Sequence, residues 1–147
     1  METMPHYLLV ESNALPEVFM KVIEAKRLLL TGRVHSVNEA ARAAGLSRSA
    51  FYKYKDSVHP FNEDAGGYII TLHAMLRDEA GMLSKLTGLL YHEGANIMTI
   101  NQNIPVGGFA PVTVTARADG MKMPLSDLLD RIREIDGVNS IEVVSGL

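Results

Sequence analysis

The residues best able to do chemistry in this 147-residue chain are cations. Between Lys21 and Lys55 stand eight of them (Lys21, Lys26, Arg27, Arg33, Arg42, Arg48, Lys53, Lys55) against two acids, Glu24 and Glu39, a local charge of +6. A block of this kind suits a phosphate backbone, and it equally suits a solvated helical surface with a basic bias. Residues 1 to 61 hold 8 Lys+Arg and 6 Asp+Glu, and residues 62 to 147 hold 6 and 11, so the two parts differ in charge by kind. Other chemistries find less support. There is no cysteine, hence no thiol nucleophile, disulfide or cysteine zinc site. His6, His35, His59, His73 and His92 lack the spacing of metal ligands. Ser84 and Ser126 have no evident base. Arg77, Lys85, Arg117, Lys122, Arg131 and Arg133 are spread along the second part, whereas a dicarboxylate substrate needs converging cations. The expectation is no catalytic residue, no metal and no cofactor.

These side chains must be positioned by secondary structure. Val18, Val22, Ala25 and Leu29, widened by Phe19, Ile23 and Leu30, follow the period of an amphipathic helix from Pro16 to Leu30, ended by Gly32. Ser36-Val37-Asn38-Glu39 reads as a capping box opening a second helix through Ala44, stopped by Gly45. Ser47 caps a third helix running to about Lys55. The segment His59 to Gly67 is polar and rich in turn residues and coincides with the change in charge. Beyond it come a strand, Tyr68 to Arg77; a helix, Gly81 to Glu93, with Met82, Leu83, Leu86, Leu89 and Leu90 on one face; two strands, Asn96 to Ile104 and Ala110 to Ala118; a helix opening at Pro124, with Leu125, Leu128, Leu129, Ile132 and Ile135 inward; and a last strand, Ser140 to Val144. The order is β-α-β-β-α-β. Both alternating sets of the first strand are partly apolar, so the face without helices needs a cover; a partner subunit or the N-terminal helices would supply it, and of the two a homodimer or higher homo-oligomer is expected. No apolar run approaches the roughly 20 residues of a membrane helix. The N-terminus has no basic-then-apolar signal pattern, so a cytoplasmic protein is expected.

From Ser36 to Lys55 the sequence S-V-N-E-A-A-R-A-A-G-L-S-R-S-A-F-Y-K-Y-K resembles a helix-turn-helix, with Ala40 and Ala41 small where helices cross and Leu46 between them. The resemblance implies that Arg48, Ser49, Tyr52, Lys53 and Lys55 face base edges or phosphates, making DNA a candidate partner. A helical bundle that packs its cations on its own acidic partner domain uses the same residues.

D-E-A-G-M-L-S-K-L followed by E-G-A-N-I resembles the ACT domain, a small-molecule sensor module of amino-acid metabolism. It implies a ligand site at Asp78, Ala80, Gly81, Met82, Leu83, Asn96 and Ile97. In such a site the glycine admits a ligand carboxylate to the N–H groups of the helix's first turn, and Asp78 or Asn96 accepts from an α-ammonium. An ordinary strand-to-helix turn has the same sequence. Two departures stand out. Ala80 replaces the proline that often precedes the glycine, and Asn101-Gln102-Asn103-Ile104 stands before Pro105 where phenylalanine-sensing members carry an acidic-Ser-Arg-Pro run.

The chain as a whole resembles bacterial ACT-domain proteins often labelled PheB. The implied organisation is α+β: a three-helix helix-turn-helix-like domain over 1–61, a linker over 62–67 and a ferredoxin-like ACT domain over 68–147. The implied function is an amino-acid-responsive regulator, a transcriptional regulator first. The alternatives are a regulatory subunit of a biosynthetic enzyme or, following one label of the family, a chorismate mutase.

Overall fold

The computed structural model describes residues 3–146, which divide into two compact units, Met1–Phe61 and Asn62–Leu147. In the first, a single 3-10 turn at Ser12–Ala14 precedes helices α1 (Glu17–Leu30), α2 (Val37–Ala44) and α3 (Arg48–Tyr54). Ala25, Ala40 and Phe51 form its buried centre, with Leu29, Val34, Val37, Ala44 and Leu46 against them. Alanines at Ala40 and Ala41 leave room for α1 to lie close to α2. Ser36 Oγ accepts from the Glu39 N–H at 3.1 Å, and Ser47 Oγ accepts from Ala50 N–H at 3.1 Å, so both expected caps form. The return arm of the first box differs: the Glu39 carboxylate accepts from the N–H of His35, one residue before the expected one.

The second unit is a four-stranded antiparallel sheet in the order β2-β3-β1-β4, built from β1 (Ile69–Arg77), β2 (Asn96–Gln102), β3 (Phe109–Arg117) and β4 (Val138–Ser145). Helices α4 (Met82–His92) and α5 (Leu125–Arg133) cover one face. The alternation on β1 divides as period two demands. Ile70, Leu72, Ala74 and Leu76 are buried with Val112, Val114 and Ala116 under Leu86, Leu90, Leu128 and Ile132. Ile69, Thr71, His73 and Met75 stay half-buried on the opposite face. That face is threaded by polar contacts between neighbours, Thr71 Oγ1 to Thr115 Oγ1 and His73 Nδ1 to Thr113 Oγ1, each 3.2 Å. Ile135, expected on the buried stripe of α5, lies past the helix end and is only partly buried.

Residues 62–67, expected as a linker, form a closed turn. Asn62 N–H donates to Gly67 O at 2.8 Å, Ala65 N–H to Asn62 Oδ1 at 2.9 Å, and Arg117 Nη2 ties the turn to β3 through Ala65 O at 2.7 Å. Gly94, at φ 92, fixes the exit of α4: a Cβ there would overlap the Gly120 carbonyl oxygen. Among the described residues no helix is long and apolar enough to cross a membrane.

Candidate functional site

The turn between β1 and α4 is the first candidate site, and its backbone is set by Gly81 at φ 88, a left-handed conformation that side-chain-bearing residues avoid. Nothing lies within 4 Å of the position a Cβ would take, so the space over the glycine is open. Of the N–H groups at the start of α4, Met82 spends its own on Glu79 O at 3.3 Å, whereas those of Gly81, Leu83 and Ser84 meet no protein acceptor among the described residues. The helix therefore ends in free donors carrying the positive end of its dipole. Asp78 and Ala80 are exposed beside them, and Asp78 N–H is anchored on Gly108 O at 2.9 Å. Met82 contributes backbone only, because its side chain is buried in the core. Leu83 is half-buried and packs against that core.

Asn96 and Ile97 do not join this group within one chain. Asn96 is in register with Arg117, and Arg117 with Ile69, at the start of β1. The turn follows Arg77 at its end. Eight residues of strand separate the two ends, about 26 Å. Asn96 is exposed at the sheet edge, and Ile97 packs partly on the core.

Beside the turn, on the β4 side, an open cleft of about 410 Å³ is lined by Arg77, Phe109, Arg133, Ile135, Asp136 and Val138 among others. It brings together two of the cations that the sequence leaves scattered. Both are already paired: Arg77 with Asp136 at 3.1 Å and Glu79 at 3.4 Å, Arg133 with Asp130 at 3.2 Å. The Arg77 guanidinium holds the Asp136 carboxyl below its ordinary range, first through the hydrogen bond and then through charge. Among the described residues none of the seven expected ligand residues lines this cleft, which meets the turn through Arg77 and through Gly137, packed against the Met82 side chain.

The second candidate is the basic surface of the first unit. The structure divides its eight cations. Lys21 pairs with Glu17, Arg27 with Glu24 at 2.6 Å and Lys55 with Asp56 at 3.2 Å. Lys26 is buried, 6% exposed, and its Nζ donates to Val58 O at 2.7 Å. Burial pushes its ammonium down to about 8. Next to it the His59 ring is pushed down to about 4, first by burial and then by the Lys26 charge. What remains exposed with no carboxylate within 4 Å among the described residues is Arg33, Arg42, Arg48 and Lys53. Of the five residues singled out in the sequence, Arg48 and Lys53 lie over their own helix's rings, Arg48 5.5 Å from Tyr52 and Lys53 5.2 Å from Tyr54. Tyr52 and Ser49 are exposed, and Ser49 Oγ lies 3.5 Å from Ser47 Oγ. Lys55 is the one whose charge is spent on a neighbour.

No family model matches the chain. It is 51% identical over 138 residues to a UPF0735 ACT domain-containing protein of Caldicellulosiruptor saccharolyticus, spanning 94% of this chain and 92% of that protein. A protein of the same name in Acetivibrio thermocellus is 48% identical over 139 residues, 95% of each. Among solved structures, the ACT domain from GTP pyrophosphokinase of Chlorobium tepidum aligns with 52% of this chain and 96% of its own at 24% identity and a TM-score of 0.43.

Proposed function

This chain belongs to the UPF0735 ACT domain-containing proteins, and from that membership we propose that it is an amino-acid-responsive regulator in which the second unit senses the ligand and the first carries the response to DNA as a helix-turn-helix. The observation that carries the reading is the turn at Gly81: open space over a left-handed glycine, three unspent N–H donors for a carboxylate, and the Asp78 carboxylate beside them for an ammonium. An α-amino acid offers both groups on one carbon. A coupling of about 1 to 3 kcal/mol between ligand and DNA suffices for a regulatory response. The PheB label adds no further chemistry to this reading.

Asn96 enters the same site from a second copy. β2 is an edge strand. When two β2 edges meet antiparallel, the start of one lies beside the end of the other, which brings Asn96 of one copy to the Gly81 end of its neighbour. A homodimer then holds two shared sites.

A thermal-shift screen against the proteinogenic amino acids tests sensing, since a ligand at 100 times its Kd adds roughly 2.7 kcal/mol. No shift with any of them refutes it. Sharing is tested with Asp78→Ala and Asn96→Ala, both at exposed positions. Each variant alone loses binding, whereas the co-expressed pair recovers about a quarter of all sites, because half of the randomly paired dimers are mixed and one of the two sites in each mixed dimer is intact. Failure of the mixture to recover refutes a site shared between copies, and Asn96→Ala that binds like wild type places Asn96 outside the site. Absence of DNA binding at low salt, with the ligand found by the screen and without it, moves the response from DNA to an enzyme partner.

A further inference from the structure

The segment that leaves α3 is fastened to α1 by a buried cation. Lys26, 6% exposed, donates from Nζ to the Val58 carbonyl at 2.7 Å, across 32 residues of sequence. Within residues 54–59 the contacts are local. Ser57 and Val58 N–H donate to Tyr54 O at 3.0 and 3.2 Å, His59 Nε2 lies 3.1 Å from Asp56 O, and Lys55 pairs with Asp56 at 3.2 Å. These bonds shape the segment, and the Lys26 bond ties it to α1.

The tie is made by a group that resists burial, since an ammonium there gives up its water for one carbonyl. On its own helix the residues three and four positions away are Val22, Ile23, Leu29 and Leu30, and α2 buries Ala40 and Ala41. Charge reaches it from the segment: Asp56 favours the protonated amine, Lys55 opposes it, and the buried His59 ring is close enough to feel it. Burial outweighs Asp56, so the closed form prefers the amine without its proton.

The far end of the segment is fixed as well. Asn62 closes a turn with Gly67, and Arg117 holds that turn on β3 through Ala65 O. Only His59, Pro60 and Phe61 lie between the Val58 anchor and Asn62, and Pro60 biases His59 to extended backbone, so α3 does not grow into the gap. From Val58 to Asn62 the backbone spans at most about 14 Å; with Val58 released, the free stretch starts at Tyr54 and spans up to about 29 Å.

We propose that residues 55–59 are a strap which Lys26 holds shut on α1 and which opens when Lys26 carries a proton out into water, doubling the free length of chain between α3 and the second unit. At neutral pH the amine is charged, and the strap is the part of the helical unit that opens first. The device acts on the connection and is independent of ligand and DNA.

Amide hydrogen exchange of the full-length chain tests this at Ser57 and Val58, with the Leu46 N–H, bonded to Ala41 O at 2.8 Å, as the reference for opening of the whole helical unit. At pH 7 the two strap amides are expected to be less protected than Leu46 by about tenfold or more. After correction for hydroxide catalysis their protection is expected to rise about tenfold between pH 7 and pH 9, the ratio set by an amine at about 8 when closed and about 10.4 when open. Lys26→Met is expected to abolish that rise. Strap amides as protected as Leu46 open only with the whole unit, which overturns the proposal. So does protection that stays constant with pH, or that rises equally in Lys26→Met. The first two comparisons use the wild-type chain and decide the matter even where Lys26→Met does not fold.

Discussion

Replacing Arg48 and Lys53 together by Ala separates a DNA-facing helix from a merely basic one. Both side chains are exposed and neither has a carboxylate within 4 Å among the described residues, so their removal breaks no ion pair. Each lies over a ring of its own helix, Arg48 over Tyr52 at 5.5 Å and Lys53 over Tyr54 at 5.2 Å. Exposed contacts of that sort are worth about 0.5 to 1 kcal/mol at most, and the fold of the helical unit rests on Phe51, Ala40 and Ala25 instead. Stability should stay within about 1 kcal/mol of wild type. DNA binding should not. Each phosphate contact contributes about 0.9 to the slope of log K against log salt concentration, so two lost contacts lower the slope by about 1.8. Between 50 and 200 mM salt the wild type then loses about twelvefold more affinity than the variant. Fluorescence anisotropy of a labelled random duplex across that range, with circular-dichroism melts of both proteins, measures the two quantities together. Replacing Lys55, already paired with Asp56, should change the slope by less than one contact. A double variant with the wild-type slope, or one that loses slope only because it melts, refutes the assignment of α3 to the phosphate backbone.

The buried Lys26 predicts an alkaline gain in stability. Its ammonium is held at about 8 in the fold against about 10.4 unfolded, so between those values the unfolded chain binds a proton that the native one has released, and stability rises with pH. The cost of the buried cation, on the order of 3 kcal/mol, is fully felt below pH 8 and is relieved by pH 10. Urea melts at pH 7 to 10 should show this rise in the helical unit, and Lys26→Met should flatten it; a rise of equal size in the variant assigns it to another group. Two glycines of the α4 region should answer oppositely to Ala. Gly94→Ala overlaps the Gly120 carbonyl at a left-handed φ and should cost at least about 2 kcal/mol in urea melts, while Gly88→Ala, inside α4 with open space around it, should add about 0.5 to 1 kcal/mol. A neutral Gly94→Ala or a destabilising Gly88→Ala contradicts the packing described at the exit of α4.

Local signals in this sequence carried the secondary structure because each is settled within a turn or two of chain. Ser36 and Ser47 cap the helices they precede since a hydroxyl needs only the N–H three residues on. The four strands follow because β1 divides its side chains strictly by alternation. The reading of the cations failed where burial, a property of the whole unit, overrides residue type. Lys26 sits four residues after Val22, on the apolar stripe of α1, and that spacing was a visible sign that it is a core residue and not part of a phosphate-facing surface. Its acceptor, Val58 O, lies 32 residues away and nothing local points to it. Ion pairing at Lys21 and Arg27 was legible in the spacing of Glu17 and Glu24, at i,i+4 and i,i+3.

The separation of Asn96 from Gly81 was also written in the chain, as a length. After β1 ends, the eleven residues of α4 carry the backbone about 16 Å back along the sheet. The next strand therefore opens at the end where β1 began. Every β-α-β unit with a helix that long must place the first residue of its second strand away from the turn that precedes the helix, so two motif residues flanking such a helix share a ligand only when symmetry brings a second copy's strand end over. The antiparallel pairing proposed above to return Asn96 to the Gly81 end also needs an edge strand free of charge, and β2 is one: Asn-Ile-Met-Thr-Ile-Asn-Gln has no ionisable side chain, whereas β4 carries Glu142 and two register shifts. Edges that must stay apart are guarded by charge and bulges. β2 lacks the charge, though it has one register shift of its own, between Ile97 and Thr99, and the shared site and homodimer proposed above both rest on this one stretch of sequence.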